Sequence, residues 1–88
     1  MTRRHLLVSG RVQGVFFRDS LQREAESQGV AGWVRNTDEG KVEAAVEGDD
    51  DAVEAVVRWC REGPERADVD DVQVSEQDPE GFDGFEVR

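Results

Sequence analysis

The chain lacks the chemistry that staples many small proteins. Cys60 is its only cysteine, so neither an internal disulfide nor a thiolate zinc site can form. Isoleucine is absent and leucine scarce, leaving Val and Phe to supply most of the strong core formers. Leu, Val and Phe together make up about a quarter of the residues, just above the ~20 % below which a highly charged chain stays disordered. A small core is available, and a chain this short must build it compactly and regularly. No apolar run approaches the ~18 residues of a membrane helix, and the N-terminus has no signal-like apolar stretch. Lysine is nearly missing as well. Ten of the 11 basic residues are arginine, against 21 Asp and Glu, for a formal net charge of −10. That balance argues against nucleic acid, whose phosphate backbone demands a basic face. The expectation is one soluble, cytoplasmic domain over residues 1–88, with neither nucleic acid nor membrane as partner.

The same charge bears on environment. Self-repulsion at −10 opposes compaction, and halophilic proteins are one setting that carries such a bias. In molar salt the Debye length contracts to ~3 Å, which screens most of the repulsion. We expect a salt-rich cytoplasm; the alternative is an ordinary acidic protein kept soluble by its charge.

The chain has no internal repeat and no linker long enough to divide it. From His5 to Val12 it alternates, with Leu6, Val8, Gly10 and Val12 on one side, which reads as a strand. Arg18 to Gln28 is helical, with Phe17, Leu21 and Ala25 on one face, an Asp19–Arg23 pair along it and Gly29 as its C-cap. A second strand over 30–36 and a third with Val42, Ala44 and Val46 inward flank the turn at 37–40, which makes them an antiparallel hairpin. In that pattern Lys41, Glu43, Ala45 and Glu47 point mostly outward. Asp49 to Arg61 forms a second helix on the stripe Val53, Val56, Val57 and Cys60, stopped by Gly63-Pro64. Val69, Val72 and Val74 suggest a fourth strand with a bulge at its parity break, and Phe85 with Val87 a short terminal one. The order βαββαβ is a split-βαβ arrangement: a two-layer ferredoxin-like α+β sandwich, its sheet mainly antiparallel and both helices on one face. Such sandwiches host many activities, so function must come from a site.

One stretch carries chemistry. Gly10-Arg11-Val12-Gln13-Gly14-Val15-Phe16-Phe17-Arg18 joins a strand to a helix N-terminus, where successive N–H groups can curl around an anion. Gly14 permits a turn that bulkier residues resist, and Arg18 offers a fork of donors matched to phosphate oxygens. It is neither a Walker loop nor a dinucleotide fingerprint. These residues alone fit an anion site or, equally, a structural glycine turn beside a surface arginine.

The run Val8 to Arg18 resembles the first signature of the acylphosphatase family. Gly32-Trp33-Val34-Arg35-Asn36, followed at fixed intervals by Gly40-Lys41-Val42 and Gly48, resembles the second. The likeness extends over essentially the whole chain. It implies hydrolysis of the carboxyl–phosphate anhydride to a carboxylate and inorganic phosphate, with no metal or cofactor. It also implies that the loop of Gln13, Gly14, Val15, Phe16, Phe17 and Arg18 holds the phosphoryl group, with Arg18 and Asn36 catalytic. Asn36 would orient the attacking water. An amide is no base near neutral pH, so the substrate's own phosphate oxygen is expected to take the proton. The small-molecule substrate would be the only partner of a monomer.

The remaining candidates have blander readings. Arg11 is expected to be a solvated strand residue, and His5 to lie off the loop. Cys60 reads as a buried inert thiol, and Asp49-Asp50-Asp51 as an N-cap with solvated charge rather than a metal site. Phe16 and Phe17 are expected to divide between shielding the pocket mouth and packing beneath the loop. Trp33 and Trp59 read as core or sheet-face residues. Two other functions stay open: a phosphate or acyl-phosphate binding module without turnover, and a partner domain handling carbamoyl phosphate in a larger enzyme. An RNA-binding sandwich is weaker, lacking both the stacking aromatics and the basic charge.

Overall fold

Strand alternation and helical stripes resolve into seven elements in the computed structural model, which describes residues 1–88. These are β1 (Thr2–Arg11), α1 (Phe17–Gln28), β2 (Ala31–Asn36), β3 (Val42–Gly48), α2 (Asp50–Glu62), β4 (Asp68–Gln77) and β5 (Phe85–Val87). The strands form one sheet of order β4-β1-β3-β2-β5. Every junction is antiparallel except β2 with β5. The two helices pack on each other and on one face of this sheet, giving the two-layer ferredoxin-like α+β fold that the element order implies.

Period two along the strands and 3.6 along the helices deliver the core. Leu6 and Val8 of β1, Val34 of β2, and Val42, Ala44 and Val46 of β3 face the helices. They meet Phe17, Leu21 and Ala25 from α1 and Val53, Val56, Val57 and Cys60 from α2. Each buried Val or Leu contributes about 1.5–3 kcal/mol, against about 1–2 kcal/mol of chain entropy per ordered residue. With a core this small, no apolar position is spare.

The other face departs from the outward pattern expected of β3. Ala45 and Glu47 are both buried. Ala45 lies between its cross-strand neighbours His5 and Trp33, whose rings meet edge to face. Glu47 is covered because the chain leaving β4 at one sheet edge must reach β5 at the other. It crosses over Glu47, and the N–H groups of Glu80, Gly81 and Phe82 donate to that carboxylate. Alternation predicts which side of a sheet a residue takes, but not what later chain will cover it.

Smaller expectations are met or adjusted. The bulge is present: pairing shifts between Ser9 and Gly10, opposite Asp71 and Val69, leaving Asp70 as the extra residue. Gly29 caps α1 in the left-handed conformation, its N–H donating to Ala25 and Glu26 oxygens. Asp49 precedes α2 but makes no side-chain cap. The acidic first turn of α2 is Asp50 and Asp51, charges that suit the positive end of the helix, and Asp50 also accepts from the Thr2 hydroxyl.

Strand direction positions the site. Because β1 and β2 are both antiparallel to β3, and β5 is parallel to β2, the C-terminal ends of β1, β2 and β5 emerge together.

Candidate functional site

The loop leaving β1, the start of α1 and the last residue of β2 meet at this shared end. Together they enclose a cavity of about 350 Å³ lined by Val12, Gly14, Phe16, Phe17, Arg18, Asp19 and Asn36. A larger, shallower recess between Met1, Gln28 and Asp49–Ala52 sets three carboxylates against the amino terminus of Met1 and has no cationic side chain, so it does not suit an anion.

The loop leaves its main-chain donors unpaired. Between Gln13 and Asp19 no main-chain N–H donates to a main-chain oxygen of the protein. Three of these N–H groups, those of Phe17, Arg18 and Asp19, are the orphan donors every helix start carries. Gly14 at φ 73° and Phe16 at φ 62° alternate the chain's handedness as it turns. A Cβ at Gly14 would meet nothing within 4 Å, so it is backbone conformation and not space that favours glycine here.

Arg18 stands on the first turn of α1. Its Nη1 donates to the main-chain oxygen of Arg88 at 3.0 Å, which steadies the guanidinium and leaves its other N–H groups available. Asn36 ends β2, paired with Val42 across the hairpin. Its Oδ1 is buried and hydrogen-bonds to no protein group. Such an acceptor costs about 1–3 kcal/mol unless it is satisfied, so it marks a place where a donor is wanted.

The other loop residues play different parts. The Gln13 side chain does not line the cavity. Its Nε2 donates to the main-chain oxygens of Thr37 and Lys41, both at 2.9 Å, tying the loop to the hairpin turn that follows Asn36. The Val15 side chain is buried in the core. Phe17 packs beneath the loop, edge-on to Trp59, whereas Phe16 stands exposed at the mouth.

Two residues at the site are not legible as such in the sequence. Asp19, assigned only to a pair with Arg23 along the helix, lines the cavity. Its helical position next to Arg18 was the available signal. Arg88 reaches Arg18 only because β5 adds in parallel beside β2, for which the sequence carries no signal.

Elsewhere, ionisable groups serve structure. Arg11 is exposed and pairs with Asp68. His5 lies on the far face, its Nε2 2.6 Å from Glu43, which also takes the Arg35 Nε at 2.6 Å. The His5 hydrogen bond, with help from Arg35 and against partial burial, holds the Glu43 carboxyl below its ordinary range. Burial pushes the Cys60 thiol up to about 12. Trp33 takes the Arg88 guanidinium over its ring at 4.7 Å. No three His, Cys, Asp or Glu side chains converge closely enough to hold a metal ion.

Comparison with known proteins gives a consistent result. The acylphosphatase family profile matches residues 4–87. An acylphosphatase of Haloarcula marismortui is 61 % identical over 99 % of this chain and 96 % of its own length. The crystal structure of the Bacillus subtilis acylphosphatase superposes with a TM-score of 0.97 at 38 % identity, covering 100 % of this chain and 99 % of that one. The fold also recurs within the longer HypF of T. kodakarensis, with a TM-score of 0.82 and 34 % identity over 99 % of this chain but 12 % of that protein.

Proposed function

Because the chain belongs to the acylphosphatase family and hydrolyses acyl phosphates, we propose that it does so with the Gln13–Arg18 loop as phosphate cradle and Asn36 as water guide. One observation carries this assignment: a ring of free main-chain donors, a guanidinium with open N–H groups and a buried, unpartnered Asn36 Oδ1 surround a single cavity. The phosphoryl oxygens take the loop N–H groups and the Arg18 fork. A water donates a hydrogen bond to Asn36 Oδ1, which turns the water's lone pair toward phosphorus. Attack forms the new O–P bond as the bond to the carboxylate oxygen breaks, and the pair in that bond leaves with the carboxylate.

Catalysis here is placement and charge stabilisation, since the leaving group is already good. Donors fixed in position before the charge develops supply most of it. The proton released by the water passes to a phosphoryl oxygen, giving carboxylate and inorganic phosphate. An amide cannot accept that proton near neutrality. Asp19 is the only carboxylate lining the cavity, and in this reading it is a bystander.

The proposal extends to setting: one domain over residues 1–88, acting as a cytoplasmic monomer on a small acyl phosphate. The 61 % identity to a relative of nearly the same length favours this over a partner domain for carbamoyl phosphate.

Kinetics of two variants test the site. Arg18→Ala should cost about 10³-fold or more in kcat/KM, through loss of phosphate capture as well as charge stabilisation. Asn36→Ala should lower kcat about 10²- to 10³-fold with KM little changed, because water placement matters after substrate is bound. A folded variant of either kind with activity near that of the parent would overturn the assignment.

A further inference from the structure

The backbone of Phe16 serves the turn into α1, but its ring does nothing for the fold. Phe16 is the only non-glycine residue in the chain with positive φ, at 62°, a conformation that L side chains with bulky rings rarely adopt. Glycine or asparagine would make the same turn with less strain. The ring is also 67 % exposed, the most exposed aromatic of the chain. It belongs to neither the hydrophobic core nor an aromatic pair, unlike its neighbour Phe17. A strained backbone that holds a bare apolar ring at the mouth of a reactive cavity invites a functional reading.

The cavity itself has room for one. A water occupies about 30 Å³, and a phosphoryl group has only four heavy atoms, so the two leave much of the 350 Å³ unfilled. With phosphate held by the loop, the acyl group must point outward past the residues at the mouth. Of the lining side chains, Arg18 and Asn36 are committed to phosphate and water, and Phe17 and Val12 are buried beneath. Asp19 would repel a second carboxylate on the acyl part. Phe16 remains.

We propose that the Phe16 ring is the platform for the acyl group and sets a preference for aromatic or extended apolar acyl phosphates over acetyl phosphate. The inference rests on the phosphate-cradle reading above and adds to it the substrate class. Aromatic rings pack on one another in offset or edge-on contacts whose strength corresponds to a severalfold change in rate or affinity.

The test compares kcat/KM for benzoyl phosphate and acetyl phosphate in the parent protein, Phe16→Asn and Phe16→Leu. Asparagine tolerates the left-handed turn while removing the ring, and leucine keeps apolar bulk without aromaticity. Any disturbance of the loop falls on both substrates, since both bring the same phosphate, so the ratio of the two constants isolates the acyl contact. The benzoyl-to-acetyl ratio should fall about three- to tenfold in Phe16→Asn and less in Phe16→Leu. A ratio unchanged in both variants, whatever the absolute rates, would overturn the proposal. Arg18→Ala is run alongside. If it retains turnover, the cradle reading fails and this inference with it; if it is inactive while the ratio stays constant, only the acyl platform is refuted.

Discussion

Replacing Glu47 by glutamine should unfold this protein far more readily, although the residue lies far from the cavity. The Glu47 carboxylate accepts the Glu80 N–H at 2.7 Å on one oxygen and the Gly81 and Phe82 N–H groups at 2.8 and 3.1 Å on the other. Arg3, itself buried, stands 3.4 Å away. A glutamine has the same shape but only one acceptor oxygen, so its NH₂ must face at least one main-chain donor. Removing one partner of a buried pair costs about 3–5 kcal/mol. The lower end applies here. Glu47 is 2 % exposed yet lies near the surface under a thin cover of chain, and Arg3 keeps Gln77 at 2.8 Å and Glu80 at 3.6 Å. A domain of this size has about 4–13 kcal/mol in all, so a loss of about 3 kcal/mol is a large share.

Urea unfolding followed by tryptophan fluorescence reads the effect. With a slope near 1 kcal/mol/M, the midpoint of Glu47→Gln should fall by about 2–3 M at pH 7. The pH dependence supplies a second check. Burial alone would raise the Glu47 pKa, but the hydrogen bonds from Glu80, Gly81, Phe82 and Arg3 outweigh it and hold the carboxyl below 4.5. A folded-state pKa below the unfolded one adds stability above the unfolded value, and that stability is lost as pH falls through the folded value. The gap between parent and variant should therefore be full at pH 7 and narrow below pH 4.5. A gap under about 1 kcal/mol at pH 7, or one that widens in acid, would refute the reasoning.

Three further outcomes are expected. Gly32→Ala should cost about 3 kcal/mol or more in the same assay, because φ is 141° and a Cβ would stand 1.8 Å from the Ala45 oxygen; a change below 1 kcal/mol would show that β2 can shift away from β3 without penalty. The melting temperature should rise between dilute buffer and molar KCl, since salt screens a net charge of −10; a flat response would sink the idea of salt adaptation. Asp19→Asn should preserve kcat and lower KM slightly by removing a negative charge beside the phosphate site. Loss of a carboxylate-like break in the pH–rate profile of that variant would instead make Asp19 the base.

Much of this protein follows from local pattern. The alternation of Leu6, Val8 and Val12, the stripes of Phe17, Leu21, Ala25 and of Val53, Val56, Val57, Cys60, and the 37–40 turn led to the element order and the helix-covered sheet face. Those signals are legible because residue period and backbone geometry are coupled within a few residues. The glycine and arginine of the loop from Gln13 to Arg18 suggest an anion site by their own chemistry, whereas the distant Asn36 could be named only through the resemblance to the second family signature.

Tertiary structure decided what non-neighbours do to one another. Only strand order shows that β1, β2 and β5 end together, which brings Arg18, Asn36 and the Arg88 oxygen to one place. Only the crossing from β4 to β5 buries Glu47, a residue the alternation turned outward. The side-chain amide of Gln13, to which the sequence assigns no partner, ties the loop to the turn at Thr37 and Lys41. Phe16 and Phe17 share a type and are adjacent, yet one is strained and exposed and the other lies in the core. Period and propensity act over a few residues, whereas burial and hydrogen-bond partners depend on segments tens of residues apart, and those meet only once the chain has folded.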